Sequence, residues 1–241
     1  MKRSLFFILL LVLPLSYSGT LLIGTTPQNP PFNSIADTKD HYYGFDIDIS
    51  GEICKRLQIK CRFSATQFDD LFTALKTGKI DLVSAAIIIT PDRQEEFLFS
   101  LPYLASTAKF MTTQPSPINS PADLEHKKIG VRLGTPFKKL AISIYNDQIA
   151  ILEFANNANL LDALNNKTVD AVLMDTAAVK SWVANNSNSF KSVGSIIPIG
   201  QGYAFMANRD QAKLIEQINQ ALLSMEKDGS YLKIYDNYFT D

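Results

Sequence analysis

Short apolar runs alternate with amphipathic stretches along this chain, a rhythm that predicts an α/β protein. Residues 21–25 read as a strand, followed by a loop built on Pro27, Pro30 and Pro31. From 45 to 57 the apolar residues Phe45, Ile49, Ile53 and Leu57 recur at helical spacing, with Ile47 and Cys54 beside them. Residues 59–65 alternate as a strand, and 69–76 form a short helix ended by Gly78. The run 80–89 is almost continuously apolar, as a buried central strand would be. Thr90 then reads as a helix cap, with Pro91 in the first turn.

A second unit of similar make-up starts after the proline-bearing loop 114–121. It is predicted to hold strands at 129–133, 149–154 and 171–174 and helices at 137–145, 157–164 and 176–184. A strand at 203–207 and helices at 212–227 and 230–238 complete the chain. No long flexible linker separates the two units, which favours a ligand cleft between lobes.

Composition narrows the class. With 46% hydrophobic and 20% charged residues over 241 positions, the chain is an ordinary globular protein. It is long enough for one large domain or two lobes of roughly 100 residues each. Net charge is −1 without a clustered basic face, so no nucleic-acid partner is expected. Lys2 and Arg3, the apolar run 5–15 and the small residues Ser16 and Ser18 before Gly19 have the layout of a cleavable secretory signal, residues 1–18. That apolar run is too short to span a bilayer, which takes about 20 residues. No cysteine follows it, so a soluble periplasmic protein is expected. Cys54 and Cys61 are the only cysteines, and an oxidising compartment lets them join; the other reading is two free buried thiols. His41 and His126 read as separate surface residues, so neither a metal site nor a cofactor is expected.

Several stretches resemble the polar amino-acid-binding proteins of ABC importers, the extracellular solute-binding proteins of family 3. In the first unit these are 44–49, 54–61, 68–71, Leu75, Asp81 and 89–93. In the second they are Leu124, 127–131, Gly134-Thr135, 170–172 and Asp175, and the tail 227–231 closes the match. Each motif alone is weak; their order and spacing are specific. The resemblance implies a two-lobed periplasmic-binding-protein fold of type II, with two crossing strands near 103–109 and 199–203. Lobe 1 would comprise 19–104 and 204–241, and lobe 2 105–203. The implied partners are a small amino acid and an inner-membrane permease, with the receptor a monomer.

A free amino acid is a zwitterion, and a receptor has to replace the water around both charges. Arginine suits the carboxylate because its planar fork donates two parallel hydrogen bonds. Arg93 lies in the first turn of its helix, where the macrodipole disfavours a cation. Its plain reading is a surface pair with Glu95 or Glu96; the resemblance makes it the carboxylate ligand. Asp175 would receive the ammonium, or simply cap the helix that follows. Phe68, plain core on its own, would stack on the ligand side chain. Ala86 would offer its backbone N–H, and Thr135 its backbone or hydroxyl.

The chain also departs from the pattern. Ile88 stands where relatives carry a Ser or Asp that helps hold the ammonium. Pro136 stands where a backbone N–H is usual, so Phe137 would supply it. Thr26 replaces an acidic residue that faces basic ligands, Asn29 replaces an aromatic, and Arg132 occupies a usually neutral position. Arg132 either turns into the cleft or out to solvent. Together the changes point to a neutral polar or acidic ligand rather than a basic one. An enzyme on the same scaffold, such as a cyclohexadienyl dehydratase, would need a proton donor or acceptor in the cleft, and Glu153 is the nearest candidate. No catalytic residue is assigned, and no fused catalytic domain is expected. A surface adhesin that has lost its ligand is the third reading.

Overall fold

The computed structural model describes residues 19–36 and 40–239; the expected signal segment 1–18 lies outside them. Two five-stranded sheets organise the molecule. In the first, Thr20–Thr25 lies between Lys60–Ala65 and Leu82–Ile88, parallel to both. Tyr203–Ala207 runs antiparallel to Leu82–Ile88 and to the edge strand Leu98–Phe99. In the second sheet, Lys128–Arg132 pairs in parallel with Ala150–Phe154 and Ala171–Asp175. Thr107–Thr113 then runs antiparallel to Ala171–Asp175 and to Phe190–Pro198. The chain crosses from the first sheet to the second ahead of Thr107 and returns after Pro198, so the segments 100–106 and 199–202 are the hinge. The two crossings are tied together: Tyr103 N donates to Tyr203 O and Tyr203 N to Leu104 O, at 2.9 and 2.8 Å.

Burial follows the periodicity. All seven residues of Leu82–Ile88 are buried, as a strand covered on both faces should be. Phe45, Ile49 and Ile53 of the helix Phe45–Arg56 bury one stripe against this sheet. Each such side chain stabilises the fold by about 1.5–3 kcal/mol. Helix Phe137–Tyr145 matches its expected span, with Pro136 in the N-cap position. Gly229, in the left-handed conformation, ends the long helix Ala212–Asp228, and Ser230–Phe239 follows it. Cys54 and Cys61 form a disulfide that staples the end of helix Phe45–Arg56 to the strand after it.

Several features differ from the expectation, which placed no strand at Leu98–Phe99 or at Thr107–Thr113. Gln28–Asn29, in the proline loop after Thr25, pairs with Asn33–Ile35, which pairs in turn with Tyr42–Tyr43, as a small three-stranded sheet. Phe190–Pro198, with a register shift and mostly exposed residues, carries no clear alternation and was not foreseen as a strand. The helix opening at Pro91 is only four residues long, and Thr90, although at its N-cap, makes no side-chain cap.

Candidate functional site

The C-terminal ends of the central strands from both sheets meet at one junction. Leu82–Ile88 and the turn after it bring Arg93 from the first sheet; Lys128–Arg132 and Ala171–Asp175 deliver Arg132 and Asp175 from the second. Phe68 sits between them and is 2% exposed. The Arg132 guanidinium lies 4.1 Å from the centre of its ring, and that of Arg93 5.8 Å. Arg93 also lies 5.0 Å over Phe72. These are cation–π distances, which matter most where water is excluded.

Arg93 is not the surface ion pair of the plain reading, since Glu96 pairs with Lys76 instead. Its Nη1 donates to Ile88 O at 2.6 Å and its Nη2 to Gly134 O at 2.9 Å, the second bond reaching into the other lobe. Burial and the neighbouring Arg132 pull its pKa down to about 10, against the opposing attraction of Asp175. Asp175 occupies the N-cap position of Thr176–Asn185, but its side chain does not cap that helix. It accepts a hydrogen bond from the Tyr203 hydroxyl at 2.6 Å. Burial raises its pKa, while Arg132 and the Tyr203 hydroxyl act to lower it. Arg132 turns inward and is 5% exposed, so the solvent-facing alternative is excluded. Burial lowers its pKa, and Asp175 opposes this through space.

Beside this cluster a cavity of about 160 Å³ is lined by Thr26, Gln28, Gln67, Phe68, Arg132 and Asn157, among others. Neither Arg93 nor Asp175 lines it. Asn157 Nδ2 donates across the junction to Gln28 O and Asn29 Oδ1, at 3.0 and 2.9 Å, and Lys139 pairs with Asp92 at the rim. Thr26 donates its hydroxyl to Asn33 Oδ1 at 2.5 Å, which places a neutral group where the resemblance expected an acid.

Three expectations need correction, those for Ala86, Thr135 and Glu153, while the one for the Phe137 N–H is not contradicted. The N–H of Ala86 donates to Asp46 Oδ2 at 2.6 Å rather than facing the cleft. Both groups of Thr135 close their own turn on Arg132 O, the hydroxyl at 2.6 Å. Phe137 packs its ring in the core, though its N–H stands at the first helical position, where no intrahelical acceptor exists. Glu153, the nearest acid–base candidate, is exposed and paired with Lys138.

Sequence reasoning missed Asp46. This fully buried carboxylate accepts from Ala86 N, Tyr103 Oη at 2.9 Å and Asn33 Nδ2 at 3.2 Å, and burial raises its pKa to about 7. It steadies Ala86, whose φ of 49° is unusual for a non-glycine residue, where the strand's register against Tyr203–Ala207 shifts. Tyr103 and Tyr203, at the two crossings, thus each hold one buried carboxylate, Tyr103 that of Asp46 and Tyr203 that of Asp175. An acid among the apolar residues of 45–49 was the available signal.

Known proteins share this layout. A solved structure of an arginine transport-system periplasmic binding protein from Legionella pneumophila is 45% identical. It covers 91% of this chain and 99% of its own, with a TM-score of 0.88. An ancestral arginine-binding protein solved with arginine is 35% identical, over 92% of this chain and 99% of its own, with a TM-score of 0.85, and one solved with glutamine is 34% identical over the same shares, also with a TM-score of 0.85. The lysine/arginine/ornithine-binding periplasmic protein of Escherichia coli K12 is 32% identical over 99% of this chain and 97% of its own length. The sequence profile of the bacterial extracellular solute-binding proteins, family 3, matches residues 21–241. The two sheets joined at paired crossings therefore have a shared ancestry as well as a shared shape: the chain belongs to the bacterial extracellular solute-binding proteins, family 3.

Proposed function

We propose that this protein is the substrate-binding component of an amino-acid ABC transporter, holding a polar L-amino acid between its lobes and presenting it to a membrane permease. The observation that carries the reading is the convergence of Arg93, Asp175 and Arg132 around Phe68, from strand ends of both sheets. When the lobes part, the Arg93 fork exchanges the carbonyls of Ile88 and Gly134 for an α-carboxylate, which offers two anionic acceptors in the geometry a guanidinium prefers. Asp175, oriented by Tyr203, receives the ammonium. Lobe 1 comprises 19–104 and 204–241 and lobe 2 105–203, and closure about 100–106 and 199–202 forms the surface the permease reads. The receptor acts as a periplasmic monomer after loss of residues 1–18. Binding requires no proton transfer, in keeping with relatives that serve transport.

Calorimetric titration with a panel of L-amino acids tests this on ligand-free protein prepared by unfolding and refolding. Arg93→Ala should weaken binding by about 2–5 kcal/mol, roughly 30-fold to several-thousand-fold. An unchanged affinity removes Arg93 from the site, and no binding of any amino acid to the wild type sinks the reading.

A further inference from the structure

Once a bound amino acid has its carboxylate on Arg93 and its ammonium on Asp175, one buried charge is left over. Arg132 is 5% exposed, and its Nε has no hydrogen-bond partner among the described residues. It lines the cavity beside Phe68, together with the polar groups of Thr26, Gln28, Gln67 and Asn157. Its attraction to Asp175 acts through space, and a ligand ammonium would compete for that same carboxylate.

A buried cation without a matched anion is costly. A ligand with a neutral side chain leaves that cost in place. A basic side chain adds a second cation to the same cavity, and Thr26 supplies no carboxylate to meet it. A carboxylate side chain removes the imbalance, because two guanidiniums then face two ligand carboxylates while Asp175 faces the ammonium. The cavity of about 160 Å³ has room for several waters, enough for a short acidic side chain.

We propose that the cleft selects an L-amino acid with an anionic side chain, of the glutamate or aspartate class, and that Arg132 is the residue that selects it. The inference rests on the zwitterion clamp of Arg93 and Asp175 and adds the third charge to it. Arg132 also orders the hierarchy of ligands: acidic first, neutral amide next, basic last.

The test titrates L-glutamate, L-aspartate, L-glutamine and L-arginine into wild type, Arg132→Leu and Arg132→Lys, with circular dichroism confirming that each variant is folded. Wild type should bind an acidic ligand at least about 10-fold more tightly than glutamine, and arginine more weakly still. Arg132→Leu should lose acidic ligands by about 30-fold or more while glutamine and arginine hold or gain, and Arg132→Lys should keep the acidic preference in part. Tighter wild-type binding of glutamine or arginine overturns the inference and leaves the amino-acid receptor standing. An equal loss of all ligands in Arg132→Leu also overturns it, by reducing Arg132 to a packing role. Binding of no amino acid at all fails the clamp itself.

Discussion

A carboxyl group buried without a cationic partner reports its surroundings through pH. Among the described residues Asp46 has three hydrogen-bond donors and no contact ion pair, and burial still dominates, raising its pKa from 3.8 to about 7. Between these values the folded protein holds a proton that the unfolded chain has released. The contribution of Asp46 to stability should therefore be full below about pH 4, fall as pH rises, and level off above about pH 7, by on the order of 4 kcal/mol. Asp175, raised for the same first reason, adds in the same direction. Urea unfolding at a series of pH values measures the slope. Asp46→Asn, which does not titrate, should flatten most of it; an equal slope in the variant would assign the effect elsewhere. The acid is nonetheless kept, because Ala86 and Tyr103 both need its oxygens.

At the scale of elements, the disulfide joins the helix Phe45–Arg56 to the strand Lys60–Ala65 across a sequence separation of 7. The chain-entropy model assigns so short a loop about 2–3 kcal/mol. The bond lies at the outer edge of the first sheet, distant in the fold from Arg93 and Asp175. Cys54→Ser with Cys61→Ser should lower unfolding stability by that amount and leave ligand affinity within about twofold. A matching urea midpoint with and without the bond would show that it contributes nothing to stability. The other staple on this helix is electrostatic: Arg56 reaches Glu52 and Asp228 and donates to Ser224 and Ser230, binding the first helix to the C-terminal pair.

On the proposed function the whole molecule works by closure, and one glycine sits where the two sheets' elements approach most closely. Gly134 has φ +75°, and a Cβ there would lie 2.8 Å from Asp69 Oδ1 and 3.4 Å from the Phe68 ring, both on the opposite lobe. The backbone strain of Gly134→Ala exists whether the lobes are open or shut, so it costs about 1–2 kcal/mol of fold stability and cancels in binding. The contact with Asp69 exists only in the closed form. Gly134→Ala should therefore weaken ligand binding several-fold and enlarge the radius of gyration of the ligand-bound protein in solution scattering. Wild-type values in both measurements would mean that Asp69 yields freely and that Gly134 does not guard closure. Mutations at Asp92 or Lys139 act on the same equilibrium far more weakly, since that ion pair is exposed to solvent.

Local chemistry set most of the elements. Apolar pattern alone was enough for the helices at 45 and 137, whose buried stripe has a helical period, and for the strands at 82 and 203, whose unbroken apolar runs are buried on both faces. The family motifs singled out Arg93, Asp175 and Phe68, and the structure brings all three to one junction. What neighbours do to one another could not be read along the chain. The direction of Arg132, the capture of the Ala86 N–H by Asp46 and the pairing of Tyr203 with Asp175 each depend on residues tens of positions apart. The strand Phe190–Pro198 belongs with them, since its edge position asks little of its side chains. Periodicity is a property of one segment, whereas a buried charge is settled by whichever partners the folded chain carries to it.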